Sequence, residues 1–164
     1  MEILVDNEAR SLVGQPPLVG EELPHFKVLD QNGAKVKTRD LIGQPLLISV
    51  VPDITTGVCT LQTRHFNEMV SQMTGVKLVT ISVNTPEQQA NWCAAEGLPQ
   101  VELLSDQAES FGYAMKLFIP DEGVDARSVF VVDATGKITY AEIVPVMGQE
   151  PDYKAALAAV EKLG

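Results

Sequence analysis

The sequence predicts one α/β domain over residues 1–164, with a mixed sheet flanked by helices and an N-terminal β-hairpin. LLISVV at 46–51 and VKLVTISV at 76–83 are apolar runs of the kind found in strands covered on both sides. Each is followed by a segment with a helix-start signal. SVFVVD at 128–133, the turn ATGK, and ITYAEIV at 138–144 make a hairpin, and a last helix closes the chain. Periodicity leaves the strand order open.

The elements follow in order. ILV at 3–5 and SLVG at 11–14 flank the polar DNEAR and predict the small hairpin. The Pro-rich PPLVGEELPHF reads as an irregular connection. FKVLD, within 25–30, predicts a strand ending in the turn QNG. Pro52 stops the 46–51 strand. The spacing of Phe66, Met69, Val70 and Met73 then predicts a helix from about Cys59 to Met73, with Thr56 as a cap or turn residue near its start. Pro86 opens a second helix through Cys93 to Glu96, and Gly97 and Pro99 end it. VELLS at 101–105 predicts a short strand. Pro151 starts the final helix, whose apolar face is Tyr153, Leu157 and Val160, with Ala156 between them.

Twelve Lys and Arg against twenty-two Asp and Glu give a formal charge of -10, with no basic cluster evident in the sequence, which argues against nucleic acid and anionic membranes as partners. No apolar run is long enough to span a bilayer. MEILVDNEAR lacks the pattern of a secretory signal, so a cytoplasmic location is expected. His25 and His65 are isolated, and neither lies in a metal-binding spacing. The glycines form no nucleotide-binding pattern. Met69 and Met73 read as core.

Two cysteines 34 residues apart are too few for a disulfide scaffold and too far apart for a CxxC motif. Two packed core thiols are the ordinary reading. Cys59, however, follows VPDITTGV, where a buried strand ends, a loop turns and a helix begins. Unpaired N–H groups and the positive helix end favour a thiolate there. Such a thiolate can displace one peroxide oxygen if fixed donors stabilise the leaving oxygen, and neither metal nor flavin is required. Thr56, the backbone N–H groups of 57–59 and one arginine would provide those donors. On the residues alone, the catalytic and packed readings of Cys59 stand level.

Pro52-xxx-Thr56-xx-Cys59 resembles the PxxxTxxC motif of peroxiredoxins. TGVCTLQTRHFNE at 56–68, NWCAAEGL at 91–98, ARSVFVVD at 126–133 and PDYKAAL near the end are similar, in order, to the bacterial thiol peroxidase group of atypical two-cysteine peroxiredoxins. The resemblance covers nearly the whole chain. It implies a thioredoxin-like fold, reduction of hydrogen peroxide and organic hydroperoxides, thioredoxin as electron donor, and a homodimer. It implies Cys59 as the peroxidatic cysteine, Cys93 as the resolving one, Thr56 and Arg127 in the active site, and Pro52 shaping and shielding the loop. No cofactor is expected. Asp53 stands where the family often has serine, and Thr55 where it has aspartate; a carboxylate near a thiolate slows attack unless it points into solvent.

The blander roles are specific. Trp92 beside Cys93 reads as packing, and Arg127 before an apolar strand as a surface charge. Arg64 is expected to be solvated or paired with Glu68. A redox sensor or relay, or a non-catalytic interaction domain of peroxiredoxin ancestry, would use the same residues without sustained turnover. If Cys93 resolves Cys59, some helix around the cysteines must unwind for the disulfide to form.

Overall fold

The computed structural model describes residues 1–98 and 101–163. Its elements, in order, are β1 (Glu2–Val5), β2 (Glu8–Ser11), β3 (Lys27–Leu29), β4 (Lys35–Lys37), α1 (Thr38–Leu41), β5 (Leu46–Val50) and α2 (Gly57–Ser71). There follow β6 (Lys77–Ser82), α3 (Pro86–Glu96), β7 (Leu103–Ser105), α4 (Ser110–Ala114), β8 (Phe118–Ile119) and β9 (Val124–Asp125). The last are β10 (Ser128–Val132), β11 (Ile138–Ile143) and α5 (Tyr153–Glu161).

Seven strands form the central sheet in the order β11-β10-β5-β6-β7-β3-β4. β5, β6 and β7 run parallel, and the outer pairings are antiparallel. The sheet is therefore mixed, as the sequence predicts. Every residue of β5 is buried. Leu46, Ile48 and Val50 face one apolar cluster, while Leu47 faces a second with Phe66 of α2 and Ala156 and Val160 of α5. This two-sided burial is why LLISV reads as an unbroken apolar run.

The hairpin β1–β2 is present, with its second strand starting at Glu8 rather than Ser11. The turn forces this shift. Asp6 and Asn7 both have positive φ, the geometry of a two-residue hairpin turn, so pairing resumes at once. The hairpin is fastened to the loop after β11: Leu4 donates to the Pro145 carbonyl, and Met147 donates back to Leu4.

Two helix starts differ from expectation, and α2 ends at Ser71 rather than Met73. α2 starts at Gly57, two residues before Cys59, because Thr56 already occupies the cap position. α5 starts at Tyr153, because the Asp152 carboxylate accepts from Ala155 N–H and makes Asp152, not Pro151, the cap. In its apolar face, Ala156 and Val160 are buried and Leu157 is only half-buried. α3 keeps the expected bounds. Gly97 ends it in the left-handed region, and the N–H groups of Gly97 and Leu98 both bond the Cys93 carbonyl. Pro99 lies outside the described residues. No described helix is long and apolar enough to cross a membrane.

Candidate active site

β5 ends at Val50, and Val51 and Pro52 continue into a loop that α2 closes at Gly57. Pro52 is buried and lines a cavity of about 410 Å³ with Thr56, Val58, Arg127, Met147 and Gly148. Cys59 is the third residue of α2, within its first turn. It is fully buried behind this wall, and its sulfur is a free thiol.

Arg127 reaches that sulfur. It directly precedes β10, whose Ser128 pairs with Val50, so the register sets Arg127 beside the end of β5. It is only 2% exposed, against the expectation for an arginine at a sheet mouth. Nη2 donates to Cys59 Sγ at 3.5 Å, Nη1 to Gln62 Oε1 at 3.0 Å, and Nε to the Met147 carbonyl at 2.9 Å. Three partners offset the desolvation of the guanidinium and hold its fork in one orientation.

Gln62 was not anticipated. It is one turn after Cys59 and fully buried; its amide donates to Ser49 Oγ at 2.8 Å and the Val50 carbonyl at 3.3 Å while its oxygen accepts from Arg127. The available signal was a polar residue three positions after the cysteine on a buried helical face.

The Thr56 hydroxyl does not donate to sulfur. It donates to the Asp53 carbonyl at 3.0 Å, which closes the loop and leaves its oxygen as an acceptor at the cavity wall. Asp53 does not simply point into solvent. It is half-buried, and its Oδ1 accepts from Thr55 N–H, Thr55 Oγ1 and Asn84 Nδ2. Burial alone would push this carboxyl up; the donors from Thr55 and Asn84 outweigh it and hold it below its ordinary value. Asp53 and Thr55 thus make a local turn, and Asn84 also binds Ile54 N–H.

Cys93 is in the last turn of α3, buried and free. It shares one apolar cluster with Cys59, Val51, Ile54, Trp92 and Leu103. Burial pushes its thiol up, against a 3.4 Å hydrogen bond from Gln31 Nε2. Trp92 packs there as its apolar character suggests, and its Nε1 donates to Thr60 Oγ1 at 3.3 Å. Arg64 is not paired with Glu68. Its Nη2 bonds both the carbonyl and a carboxylate oxygen of Glu96, each at 3.2 Å. The C-terminus of α3 presents free carbonyls as well as a carboxylate, so it outcompetes a same-helix partner. Both contacts tie α2 to α3.

His65 stacks on Tyr153 with ring centroids 3.6 Å apart, and Met69 and Met73 pack against the α2–α5 cluster. Among the described residues, no three His, Cys, Asp or Glu side chains gather as a metal site.

The AhpC/TSA family profile matches residues 19–141. A thiol peroxidase of Listeria monocytogenes serovar 1/2a is 45% identical over 153 residues, covering 93% of each chain. One from Bacillus subtilis (strain 168) is 42% identical, over 93% of this chain and 92% of the relative. Among solved structures, a peroxiredoxin-like protein from Aquifex aeolicus superposes with a TM-score of 0.89 at 27% identity, over 99% of this chain and 97% of that one. A thiol peroxidase from Chromobacterium violaceum gives 0.89 at 21% identity, over 98% and 96%, a likeness of fold. The architecture is the thioredoxin-like one.

Proposed function

The chain belongs to the AhpC/TSA family, and from that premise we propose that it is a thiol-dependent peroxidase in which Cys59 attacks the peroxide and Cys93 resolves the product. The observation that carries the assignment of residues is the 3.5 Å approach of Arg127 Nη2 to Cys59 Sγ, at the first turn of a helix and beside the Pro52–Thr56 cavity.

In this reading the cavity is the approach to the sulfur. The Cys59 thiolate attacks the distal oxygen of ROOH; the S–O bond forms as the O–O bond breaks, and RO⁻ leaves as ROH, taking up the proton that Cys59 released on ionising. Arg127 stabilises the thiolate and the charge that develops on the leaving oxygen, as a fixed cation does in a site that excludes water. Thr56 Oγ1 accepts the peroxide O–H. Cys59 becomes a sulfenic acid. The Cys93 thiol then condenses with it, forming the disulfide and releasing water. A dithiol reductant of the thioredoxin type returns both thiols by exchange.

The helix positions support resolution within one chain. Cys59 is in a first turn and Cys93 in a last turn, and helix ends open at lower cost than helix centres. Both belong to the same apolar cluster, so local unwinding needs no domain movement. Two buried free thiols suit a reducing compartment, which supports a cytoplasmic setting. The resemblance supports a homodimer; sedimentation at micromolar concentration tests it, and a stable 17.8 kDa species in both redox states would refute it.

The decisive experiment couples the protein to thioredoxin, thioredoxin reductase and NADPH. Peroxide-dependent NADPH consumption is expected, and it should vanish in Cys59→Ser. If wild type consumes no more NADPH than that variant with this donor or another dithiol, the peroxidase reading fails.

A further inference from the structure

No unbroken basic run stands out in the sequence, but four of the twelve Lys and Arg residues fall between positions 27 and 39, against one acidic residue: Lys27, Lys35, Lys37 and Arg39. Folding gathers three of them. Lys27, Lys37 and Arg39, with His25 and Ser110, line a cavity of about 380 Å³ that no acidic residue lines. The size falls in the ordinary range of small-molecule sites, about 300–1,000 Å³. It shares no lining residue with the cysteine cavity.

Lys27 and Lys37 are direct cross-strand partners in the β3–β4 pair. Like charges placed opposite in an antiparallel pair repel. Among the described residues, neither lysine nor Arg39 nor His25 forms an ion pair. The neighbouring Asp40 does not line the cavity; one of its carboxylate oxygens accepts from the backbone N–H of Lys37. Glu22 lines only the smaller adjoining cavity, which shares His25, Thr38 and Arg39 with this one.

A lysine-rich edge strand is a known safeguard against unwanted strand pairing, and β4 is the edge of the sheet. That accounts for Lys35 and Lys37. It does not account for Lys27, which is on the interior strand β3, or for Arg39 and His25, which lie off the strands. Ser110 adds a directed donor: its oxygen accepts from Lys27 N–H at 3.1 Å, leaving its O–H able to donate. Thr38 is committed otherwise, accepting from Phe26 N–H and donating to the Pro24 carbonyl, so it serves as a wall.

We infer that this cavity binds a small polyanion of the phosphate class. Lys27 and Lys37 supply point charges on one side, Arg39 supplies a planar fork, and Ser110 supplies a hydroxyl donor. A bound dianion removes the repulsion between the paired lysines, so the fold itself gains from occupancy.

Titration of the full-length protein with inorganic pyrophosphate at low ionic strength, followed by amide NMR, tests the site. Saturable one-to-one binding is expected, with shifts centred on residues 25–39 and on Ser110. Lys27→Gln should weaken binding about tenfold, the effect of losing roughly 1.4 kcal/mol. Lys35→Gln, which removes the same charge from outside the cavity, should change it by much less. Added sodium chloride should weaken binding steeply. The inference is overturned if no saturable binding occurs, if shifts centre elsewhere, or if Lys35→Gln weakens binding as much as Lys27→Gln. Lys27→Gln should keep wild-type amide dispersion; if it does so and binds pyrophosphate as wild type does, the site is likewise refuted.

Discussion

Arg127 and Gln62 are joined inside the protein by a 3.0 Å hydrogen bond from Nη1 to Oε1. The bond matters because the other end of the same guanidinium touches Cys59, while the Gln62 amide is anchored on Ser49 and Val50 of the central strand. The sheet thereby sets the angle at which the cation meets the sulfur.

Gln62→Leu should therefore slow the first oxidation of Cys59. A hydrogen bond to a charged group contributes about 1.5–3 kcal/mol, which corresponds to a loss of roughly tenfold to a hundredfold if all of it positions Arg127. Gln62→Glu keeps an acceptor for Arg127 but loses the amide donors to Ser49 and Val50 and sets a carboxylate beside the thiolate, so it should also slow the oxidation. Stopped-flow Trp92 fluorescence gives the rate constant, since Trp92 packs in the cluster that holds both cysteines. Equal rates for Gln62→Leu and wild type would remove Gln62 from the mechanism.

Cys93→Ser should consume one equivalent of peroxide and then stall. Wild type, treated with one equivalent, should run as an intrachain disulfide on a non-reducing denaturing gel, and peptide mapping should find the 59–93 linkage. The variant should show sulfenic acid by mass spectrometry and overoxidise under excess peroxide. Full thioredoxin-dependent turnover by the variant would establish a one-cysteine mechanism instead.

Substrate charge should matter at the mouth of the cysteine cavity. Asp6, Asp53 and Glu122 line it together with one arginine whose three nitrogens are already engaged. Glu122 is partly neutralised by Arg10, at 3.1 Å. A neutral alkyl hydroperoxide should be reduced with a higher kcat/KM than its carboxylate-bearing counterpart, and added salt should narrow the gap. Asp6→Lys should narrow it further. Salt-independent, equal values for the two substrates would show that the rim does not discriminate.

A buried acid pair makes the protein lose stability as pH rises above the ordinary carboxyl range. Asp125 on β9 is fully buried. Its carboxyl is pushed well above the usual range by burial first, and then by the neighbouring Asp106 and Glu109. Burial also pushes Asp106 up, but its two oxygens accept from the N–H groups of Phe111 and Gly112, at 2.8 and 2.9 Å. Asp125 is thus the member that keeps its proton. A group whose folded value is raised contributes stability below its unfolded value, near ~3.9, and loses it as pH rises toward the folded value. Asp125→Asn keeps the shape and removes the titration. In urea unfolding the variant should match wild type below about pH 4 and exceed it by a growing margin as pH rises above that, up to roughly 1–3 kcal/mol, the cost of an unsatisfied buried group. A pH-independent difference between the two proteins would refute this.

Most of the secondary structure, and the chemistry on offer, is legible in the order of residues. The strands at 46–50, 77–82 and 128–132, the hairpin turn and α3 are visible because period and punctuation are local properties. So are the acidic surplus and the Pro52–Thr56–Cys59 spacing. β4, α1, α4, β8 and β9 escaped because two to five residues are too few to display a period. Which groups meet depends on strand pairing and packing. Arg127 finds Cys59 across 68 residues of sequence because β10 pairs with β5 in a register that sets Ser128 against Val50. The same pairing delivers Arg127 to Gln62, and the β3–β4 register stands Lys27 against Lys37. Register and packing are properties of two distant segments at once, and no local pattern in either one states them.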